Sequence, residues 1–280
     1  STWREDSELS RLNRALVGSS ITLSGALLRD LATARRWSRA TGGAFDPGIG
    51  ALVDLYGLRT GGTWPSDQDV WACLPHCGMQ ELHVIRTRAS RRMARLRIEE
   101  GGFGKGVGLD AAGRAVLAAG ATAATFDFGG QVLSVGGRVG GDHNLADPRA
   151  RDRAVVRVHL RHGSFATTAN SERRLQAAGR DFGHILDPRT GRPAADFGSV
   201  TVFADSAFAA DCLSTALFVM GPVAALVWAE QQDGIEALVL ESTVAEMTGS
   251  EHALTQLTAR MTSGLRDQVT ALVPDITILQ

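Results

Sequence analysis

The spacing of hydrophobic residues predicts helices near the start of the chain and strands farther along. Residues 7–40 are predicted to be helical, because leucines recur at helical intervals until the Gly42-Gly43 pair. Residues 49–58 form a short apolar element, and residues 60–78 and 136–152 are predicted as loops. Strands are predicted at residues 81–87, 93–98, 123–128, 131–135, 154–160, 198–204 and 235–240, and helices at residues 109–119, 209–220 and 250–273. Strands and helices do not alternate as regular βαβ units, which favours an α+β fold.

The composition is typical of an ordinary globular protein. Of the 280 residues, 44% are hydrophobic and 21% are charged, and the formal net charge of −1 gives no basis for nucleic-acid binding. No apolar run reaches the roughly 20 residues of a transmembrane segment. The polar opening of the sequence does not resemble a signal peptide. The sequence leaves open whether a leader or lipid anchor has been removed. A location in the cell envelope and one in the cytoplasm are therefore both retained as alternatives.

One candidate metal site lies in the predicted helix at residues 209–220. Asp211 and Thr215 are four residues apart and therefore share one helix face. Their carboxylate and hydroxyl are hard oxygen donors of the kind that Mg²⁺ or Ca²⁺ prefers. Two such ligands do not define a site by themselves, and an acidic residue that stabilises the start of a helix explains the same pattern.

A second candidate is the glycine-rich segment at residues 101–108, which is predicted to be a loop before a helix. Glycines let the backbone approach a ligand closely, and a helix N-terminus can hold a phosphate group. Lys105 adds a positive charge, although the segment matches neither a Walker loop nor a dinucleotide fingerprint. A flexible turn in which Asp110 caps the helix is the alternative.

His184 is a third candidate, because it precedes an Asp187-Pro188 turn that can present an imidazole to a cleft. A structural histidine bonded to the backbone is the alternative. Cys73, His76 and Cys77 are close in sequence, but no second ligand pair follows to complete a zinc site. Loop packing or an incidental disulfide is the preferred interpretation of these two cysteines.

The order of these segments is more specific than any one of them. The sequence contains, in this order, Ser7-Glu8-Leu9-Ser10-Arg11-Leu12-Asn13, Gly43-Ala44-Phe45-Asp46-Pro47, Gly104-Lys105-Gly106 with Asp110, Gly129-Gly130, His184-Ile185-Leu186-Asp187-Pro188 with Gly191 and Pro193, and Ala210-Asp211 with Ser214-Thr215-Ala216. This arrangement resembles the ApbE family of FAD:protein FMN transferases, formerly called thiamine biosynthesis lipoproteins. The resemblance extends from residue 1 to about residue 245.

The resemblance implies an α+β fold with a duplicated mixed or antiparallel sheet core, spanning residues 1–280 as one domain. It implies that FAD is the substrate and that Mg²⁺ is held by Asp211, Thr215 and a backbone carbonyl, assigned to Gly108. His184 and Asp211 would be catalytic. The residues implied to bind the cofactor are Asn13, Asp46, Lys105, Gly106, Asp110, Gly129, Gly130, Thr168 and His184. The partner would be an acceptor protein whose Thr or Ser receives FMN as AMP is released.

Several positions depart from the family pattern. Val107 replaces an aromatic residue, Gly108 an alanine and Asp127 an asparagine, and residues 168–173 differ from the usual Ser-Gly-Asp-Tyr-Glu-Arg. The opening strand of the family, which helps to line the flavin pocket, is expected to be absent. Two alternatives therefore accompany the transferase: an FAD pyrophosphatase that yields FMN and AMP, and a non-catalytic FAD-binding protein.

Overall fold

The computed structural model describes residues 1–137, 140–244 and 255–279. The chain divides into two compact units. The first unit comprises Ser1–Gly104 and Arg173–Ala194, and the second comprises Lys105–Glu172 and Ala195–Gln280. One domain over residues 1–280 stays a prediction, because two compact units can still fold as one domain.

Helices and strands are mixed along the chain, as an α+β fold requires. The helices are α1 (Glu8–Arg14), α2 (Gly25–Ala40), α3 (Gly50–Leu55), α4 (Asp67–Cys73), α5 (Gly104–Ala118), α6 (Ala207–Met220) and α7 (Pro222–Glu230). The first eight strands are β1 (Ile21–Thr22), β2 (Leu82–Ile85), β3 (Arg88–Arg91), β4 (Ala123–Phe128), β5 (Gln131–Gly136), β6 (Gly141–Asp147), β7 (Ala150–Leu160) and β8 (Gly163–Ala169). The later strands are β9 (Arg174–Ala177), β10 (Arg180–Gly183), β11 (Leu186–Asp187), β12 (Arg192–Pro193), β13 (Gly198–Ala204), β14 (Ile235–Val244), β15 (Thr255–Met261), β16 (Val269–Ala271) and β17 (Ile276–Leu279).

The first unit combines helices α1 to α4 with small antiparallel sheets. Strands β1, β3 and β2 form one sheet, and β9–β10 and β11–β12 are separate hairpins. Its core gathers side chains that are distant in sequence, from Leu52 and Tyr56 to Phe182 and Leu186. Residues 173–194 and the first hundred residues therefore contribute side chains to the same core.

The second unit is built on a seven-stranded sheet in the order β17-β15-β14-β13-β8-β5-β4. Its pairs are antiparallel except β15 with β17, so the sheet is mixed, in agreement with the predicted fold class. Strands β16, β7 and β6 form a smaller antiparallel sheet. Side chains of both sheets, including Val156, Phe165 and Leu238, share one hydrophobic core.

Several sequence predictions agree closely with the structure. Strands β4 and β13 have the predicted bounds, and β5 and α6 differ from the predicted bounds by at most two residues. Gly129 and Gly130 form the β4–β5 turn, and both have the positive φ that a tight hairpin turn favours. These elements carry strong local signals, namely a Gly-Gly turn between two short segments or a long apolar run.

Other predictions were wrong where tertiary contacts outweigh the local pattern. Residues 136–152 are predicted as loop but contain β6 and the start of β7. The less exposed positions of β6 carry Gly141, His143 and Asp147 as well as Leu145, so the strand shows little hydrophobic pattern. The described part of residues 250–273 forms β15, a 3₁₀ helix and β16 instead of a helix, and residues 250–254 lie outside the described residues. Strand pairing with β14, β17 and β7 decides these conformations.

Three further boundaries differ from the prediction. Residues 15–24 interrupt the predicted helix at residues 7–40, and α4 occupies part of the predicted loop at residues 60–78. A capping box between Ser66 and Asp69 starts α4. The predicted strand at residues 93–98 is absent from the described structure, because the hairpin turns at Arg86, earlier than expected, so that β3 ends at Arg91.

The cysteines agree with the packing interpretation. Cys73 and Cys77 are buried, unbridged thiols in the core of the first unit. Among the described residues, no helix is both long and apolar enough to cross a membrane.

Truncation of Leu238 should destabilise the second unit. This β14 side chain is fully buried in the shared core, so Leu238→Ala should lower the free energy of unfolding by about 2–5 kcal/mol. Val227→Ala, on an exposed position of α7, is the control and should change it by less than about 0.5 kcal/mol. Denaturant unfolding followed by circular dichroism measures both, and equal effects would contradict the assigned core.

Glu99 should make stability depend on pH. Its carboxylate pairs with Arg59, but burial raises the pKa of Glu99 to about 7 from a usual 4.5. The folded state therefore binds this proton more tightly than the unfolded state, so stability should fall as pH rises from about 4.5 to 7. We expect the free energy of unfolding of the wild type, measured relative to Glu99→Gln, to decrease across that range. The exposed control Glu5→Gln should show no such trend, and a rising difference would refute the assignment.

Candidate active site

Helix α6 places a carboxylate inside an apolar environment. Ser206 begins the helix by accepting a hydrogen bond from the Ala209 amide, and Gly221 ends it with a positive φ. Most of its side chains are buried, as expected of a helix that is apolar on all sides, and it packs on β8 and β13. Asp211 is only 4% exposed. A carboxylate at such a position needs specific partners to remain charged.

The amide of Gly106 supplies one of these partners. Its N–H donates to Asp211 Oδ2 at 2.9 Å, which fixes the carboxylate relative to the start of α5. A Cβ atom on Gly106 would lie 2.3 Å from the Ala207 carbonyl oxygen, closer than any side chain tolerates. Glycine is therefore required here because helices α5 and α6 meet backbone to backbone.

Asp110 holds the N-terminus of α6. Its Oδ1 accepts from the Ala207 amide at 2.8 Å, and its Oδ2 accepts from the Phe208 amide at 3.1 Å. Together with Ser206, it satisfies three of the four N–H groups that a helix leaves unpaired at its start. The alternative in which Asp110 caps the helix that follows a flexible turn is wrong, because Asp110 lies inside α5 and caps α6 instead. Its contact with FAD stays a prediction.

Gln131 is a member of this cluster that the sequence did not reveal. Its Nε2 donates to the Ala207 carbonyl at 2.7 Å, and the residue is only 1% exposed. The available signal was a long polar side chain that directly follows the Gly-Gly turn and opens an otherwise apolar strand. Side chains from α5 and β5 therefore both hold the first residue of α6.

The remaining side chains near Asp211 present hydroxyl groups. Thr215 lies one turn farther along α6 and is partly exposed, and Ser214 Oγ donates to the Asp211 carbonyl at 3.0 Å. Thr168 on β8 donates to Ser214 Oγ at 2.9 Å. Of the residues predicted in this region, Gly106, Asp110 and Asp211 are thus brought together around the start of α6, and Thr168 is linked to the same helix one turn later.

The donor atoms of this cluster suit Mg²⁺, which does not need a site built from protein side chains alone. Asp211 and Thr215 offer a carboxylate and a hydroxyl, and Mg²⁺ is commonly bound by one or two carboxylates together with substrate phosphates and water. Among the residues that the structure describes, no group of three or more His, Cys, Asp or Glu side chains is arranged to hold a metal. Burial raises the pKa of the adjacent Cys212 thiol, which therefore adds no competing thiolate.

The glycine-rich segment is more helical than expected. Helix α5 begins at Gly104, so Lys105, Gly106 and Gly108 belong to its first turns rather than to a loop. Close packing of Gly106 explains why a glycine-rich sequence is helical here. Gly108 is exposed, with open space where a side chain would be. Metal binding by its carbonyl and cofactor binding by Lys105 stay predictions, as they do for the turn residues Gly129 and Gly130.

Three predicted site residues belong to the first unit. Asn13 Nδ2 donates to the Ile98 carbonyl oxygen at 2.9 Å, and Asn13 Oδ1 accepts from the Ile98 amide at 2.8 Å. His184 is half-buried, and its Nδ1 lies 3.2 Å from the Arg173 carbonyl oxygen. This contact fits the structural alternative for His184, while a catalytic role stays a prediction.

Asp46 is the third of these residues, and it is buried. It accepts hydrogen bonds from Ser38 Oγ at 2.8 Å, the Gly48 amide at 2.7 Å and the Met79 amide at 3.0 Å. Burial raises the pKa of Asp46, and these hydrogen bonds oppose the shift. Through these contacts Asp46 holds its own turn together and links it to Ser38 and Met79. Cofactor binding by Asp46 stays a prediction.

Comparison with known proteins supplies independent information. An FAD:protein FMN transferase of Vibrio cholerae is 30% identical over 79% of this chain and 69% of its own length. One from Treponema pallidum is 27% identical over 85% of this chain and 71% of its own length. The crystal structure of the ApbE protein of Thermotoga maritima is similar with a TM-score of 0.78 and 28% identity, over 85% of this chain and 80% of that one.

The similarity covers the segments that carry the site. The sequence model of the ApbE family matches residues 1–239, which include both helices of the Asp211 cluster and the His184 segment. The α+β architecture, the order of the motifs and this match agree, and the chain belongs to the ApbE family.

Proposed function

We propose that this protein is an FAD:protein FMN transferase that uses Mg²⁺ and attaches FMN to a Thr or Ser hydroxyl of an acceptor protein. The observation that carries the proposal is the buried Asp211 carboxylate, oriented by the Gly106 amide, with the Thr215 hydroxyl one helical turn away. The names of the relatives, FAD:protein FMN transferases, support the choice of reaction.

The proposed reaction breaks the phosphoanhydride bond between the two halves of FAD and forms a phosphoester bond to the acceptor. The acceptor hydroxyl oxygen forms a bond to the phosphorus of the FMN half of FAD, and the bond from that phosphorus to the AMP oxygen breaks. AMP leaves with the electron pair, and the hydroxyl proton is released to a base. Water in place of the acceptor hydroxyl would yield free FMN and AMP.

The residues of the chain have separate tasks in this scheme. Asp211 and Thr215 would hold Mg²⁺, which when bound neutralises charge on the diphosphate. Gly106 and Asp110 keep the start of α6 in place, so the carboxylate does not have to reorganise when substrate binds.

His184 is the proposed base. Donation from Nδ1 to the Arg173 carbonyl would leave the basic lone pair of the neutral ring on Nε2. An imidazole held in this tautomer can accept the proton of the acceptor hydroxyl near neutral pH.

The proposal is tested by incubating the protein with FAD, Mg²⁺ and an acceptor protein that exposes an Asp-x-x-(Ser/Thr)-(Gly/Ala)-Ala-(Ser/Thr) segment. Flavin fluorescence that stays on the acceptor band after denaturing electrophoresis supports the transferase. FMN and AMP formed equally without acceptor would indicate a pyrophosphatase, and retained but unaltered FAD would indicate a binding protein. Either of these two results overturns the proposed transfer.

Replacement of Asp211 should abolish transfer. Asp211→Asn keeps the size of the side chain but removes the charge that the metal requires, so we expect flavinylation to fall by at least about 100-fold. Asp233→Asn, at an exposed carboxylate, is the matched control and should retain full activity. The initial rate of covalent flavin incorporation measures both variants, and an active Asp211→Asn protein would refute metal binding by this side chain.

Asp110→Asn separates a capping role from a cofactor contact. The amide cannot accept from both the Ala207 and Phe208 N–H groups, so the start of α6 should loosen, at a cost of about 1 kcal/mol. We expect a lower melting temperature and a higher Mg²⁺ concentration for half-maximal rate, with the KM for FAD changed less. A raised KM for FAD with an unchanged Mg²⁺ requirement would instead identify a direct contact with FAD.

A further inference from the structure

The first unit has an open pocket at its surface, between the start of α4 and the strands β10 and β12. The side chains around it are Trp64, Pro65, Ser66, Asp67, Arg180 and Arg192. Arg180 is exposed and Trp64 and Arg192 are partly exposed, so a ligand can reach them. None of the residues predicted to bind FAD or Mg²⁺ lines this pocket.

A tryptophan ring forms one wall of the pocket. Trp64 packs edge-to-face against Phe182, with ring centroids 5.4 Å apart, and against Tyr56 at 6.1 Å. Both partners are buried in the core of the first unit, so the Trp64 ring is held in place. The guanidinium carbon of Arg180 lies 4.9 Å from the centroid of this ring. Stacking of this kind orders a guanidinium group but leaves the N–H groups at its edge free to donate.

The pocket carries more positive than negative charge. Within the described part of the chain, no carboxylate pairs with Arg180. Arg192 donates to the Tyr56 hydroxyl at 3.4 Å and pairs with Asp67. The Asp67 side chain is 73% exposed, and an ion pair with such an exposed partner contributes little to stability. An anionic group of a ligand can therefore replace Asp67 on Arg192 at little cost.

The position of the pocket favours the acceptor protein as the source of this anionic group. Guanidinium N–H pairs match the oxygen spacing of carboxylates, which are the anionic side chains of proteins. Arg180 begins β10 and His184 directly follows that strand, so their Cα atoms are at most about 14 Å apart. The base proposed for the acceptor hydroxyl thus lies a few residues' length from the pocket. Arginines also outnumber acidic residues in the first unit, which attracts an acidic partner.

We propose that the pocket formed by Trp64, Arg180 and Arg192 binds an aspartate or glutamate side chain of the acceptor protein, close to the hydroxyl that receives FMN. Arg180 stays stacked on Trp64 and donates to the carboxylate, and Arg192 donates to it in place of Asp67. This assignment rests on the proposed function, because the acceptor takes part only in that reaction. The pocket contributes to the affinity for the acceptor and not to the affinity for FAD.

Calorimetry without FAD measures acceptor binding apart from transfer. The full chain is titrated with the acceptor protein and with an amide variant of the acceptor, in which the acidic residues that flank the modified hydroxyl are changed to Asn or Gln. Arg180→Gln should weaken binding of the original acceptor about three- to tenfold and leave binding of the amide variant unchanged. Arg92→Gln, the matched control, removes an exposed arginine outside the pocket and should change neither dissociation constant.

Initial rates of flavinylation add a second readout. Arg180→Gln should raise the KM for the acceptor and leave kcat and the KM for FAD unchanged. Asp67→Asn removes the competing carboxylate and should lower the KM for the acceptor about two- to threefold. A raised KM for FAD, an equal loss of binding in Arg92→Gln, or undiminished acceptor binding by Arg180→Gln would each overturn the assignment of the pocket. Acceptor binding that depends on Arg180, without any transfer of FMN, would support the pocket and refute the proposed function.

Discussion

The hydrogen bond from the Gly106 amide to Asp211 allows helix α6 to hold a carboxylate in apolar surroundings, and the structure of the site depends on it. Burying an isolated carboxylate is costly, so Asp211 needs donors that do not move. A backbone amide at the start of a second helix is such a donor. The same contact forces α5 and α6 together until no side chain fits at position 106.

This constraint determines the surroundings of the site. Because the start of α6 is buried against α5, water cannot reach all of its free amides, and the carboxylate of Asp110 accepts hydrogen bonds from two of them. Gln131 secures the carbonyl of the same first residue from β5. The side chains that position the carboxylate therefore belong to different elements, and each is needed because the helix start is buried.

The large sheet of the second unit separates two chemical environments. On one face, Thr168 contributes to the hydroxyl groups beside the buried carboxylate, and on the other, Thr167 lines a cavity with neutral polar groups. Two adjacent residues of one strand thus serve different faces, as the alternation of a strand requires. Asp110 and Asp211 thus lie on the face of the sheet where phosphate chemistry is proposed.

The sequence by itself determined the elements with strong local patterns and the identity of the candidate site. Two short segments joined by a Gly-Gly turn indicated β4 and β5, the apolar run indicated α6, and the order of the motifs indicated the family. These features depend on neighbours in sequence, so local preference is sufficient to fix them.

Tertiary structure alone decided the rest. Strand β6 has mostly glycine and polar residues at its less exposed positions and therefore shows no hydrophobic pattern, and β15 and β16 are strands because partner strands pair with them. Nothing local distinguishes an Asp110 that caps its own helix from one that caps α6, which begins 97 residues later. Gln131 and His143 acquire their surroundings only when distant strands pair and pack, because a buried polar environment is a property of the assembled core.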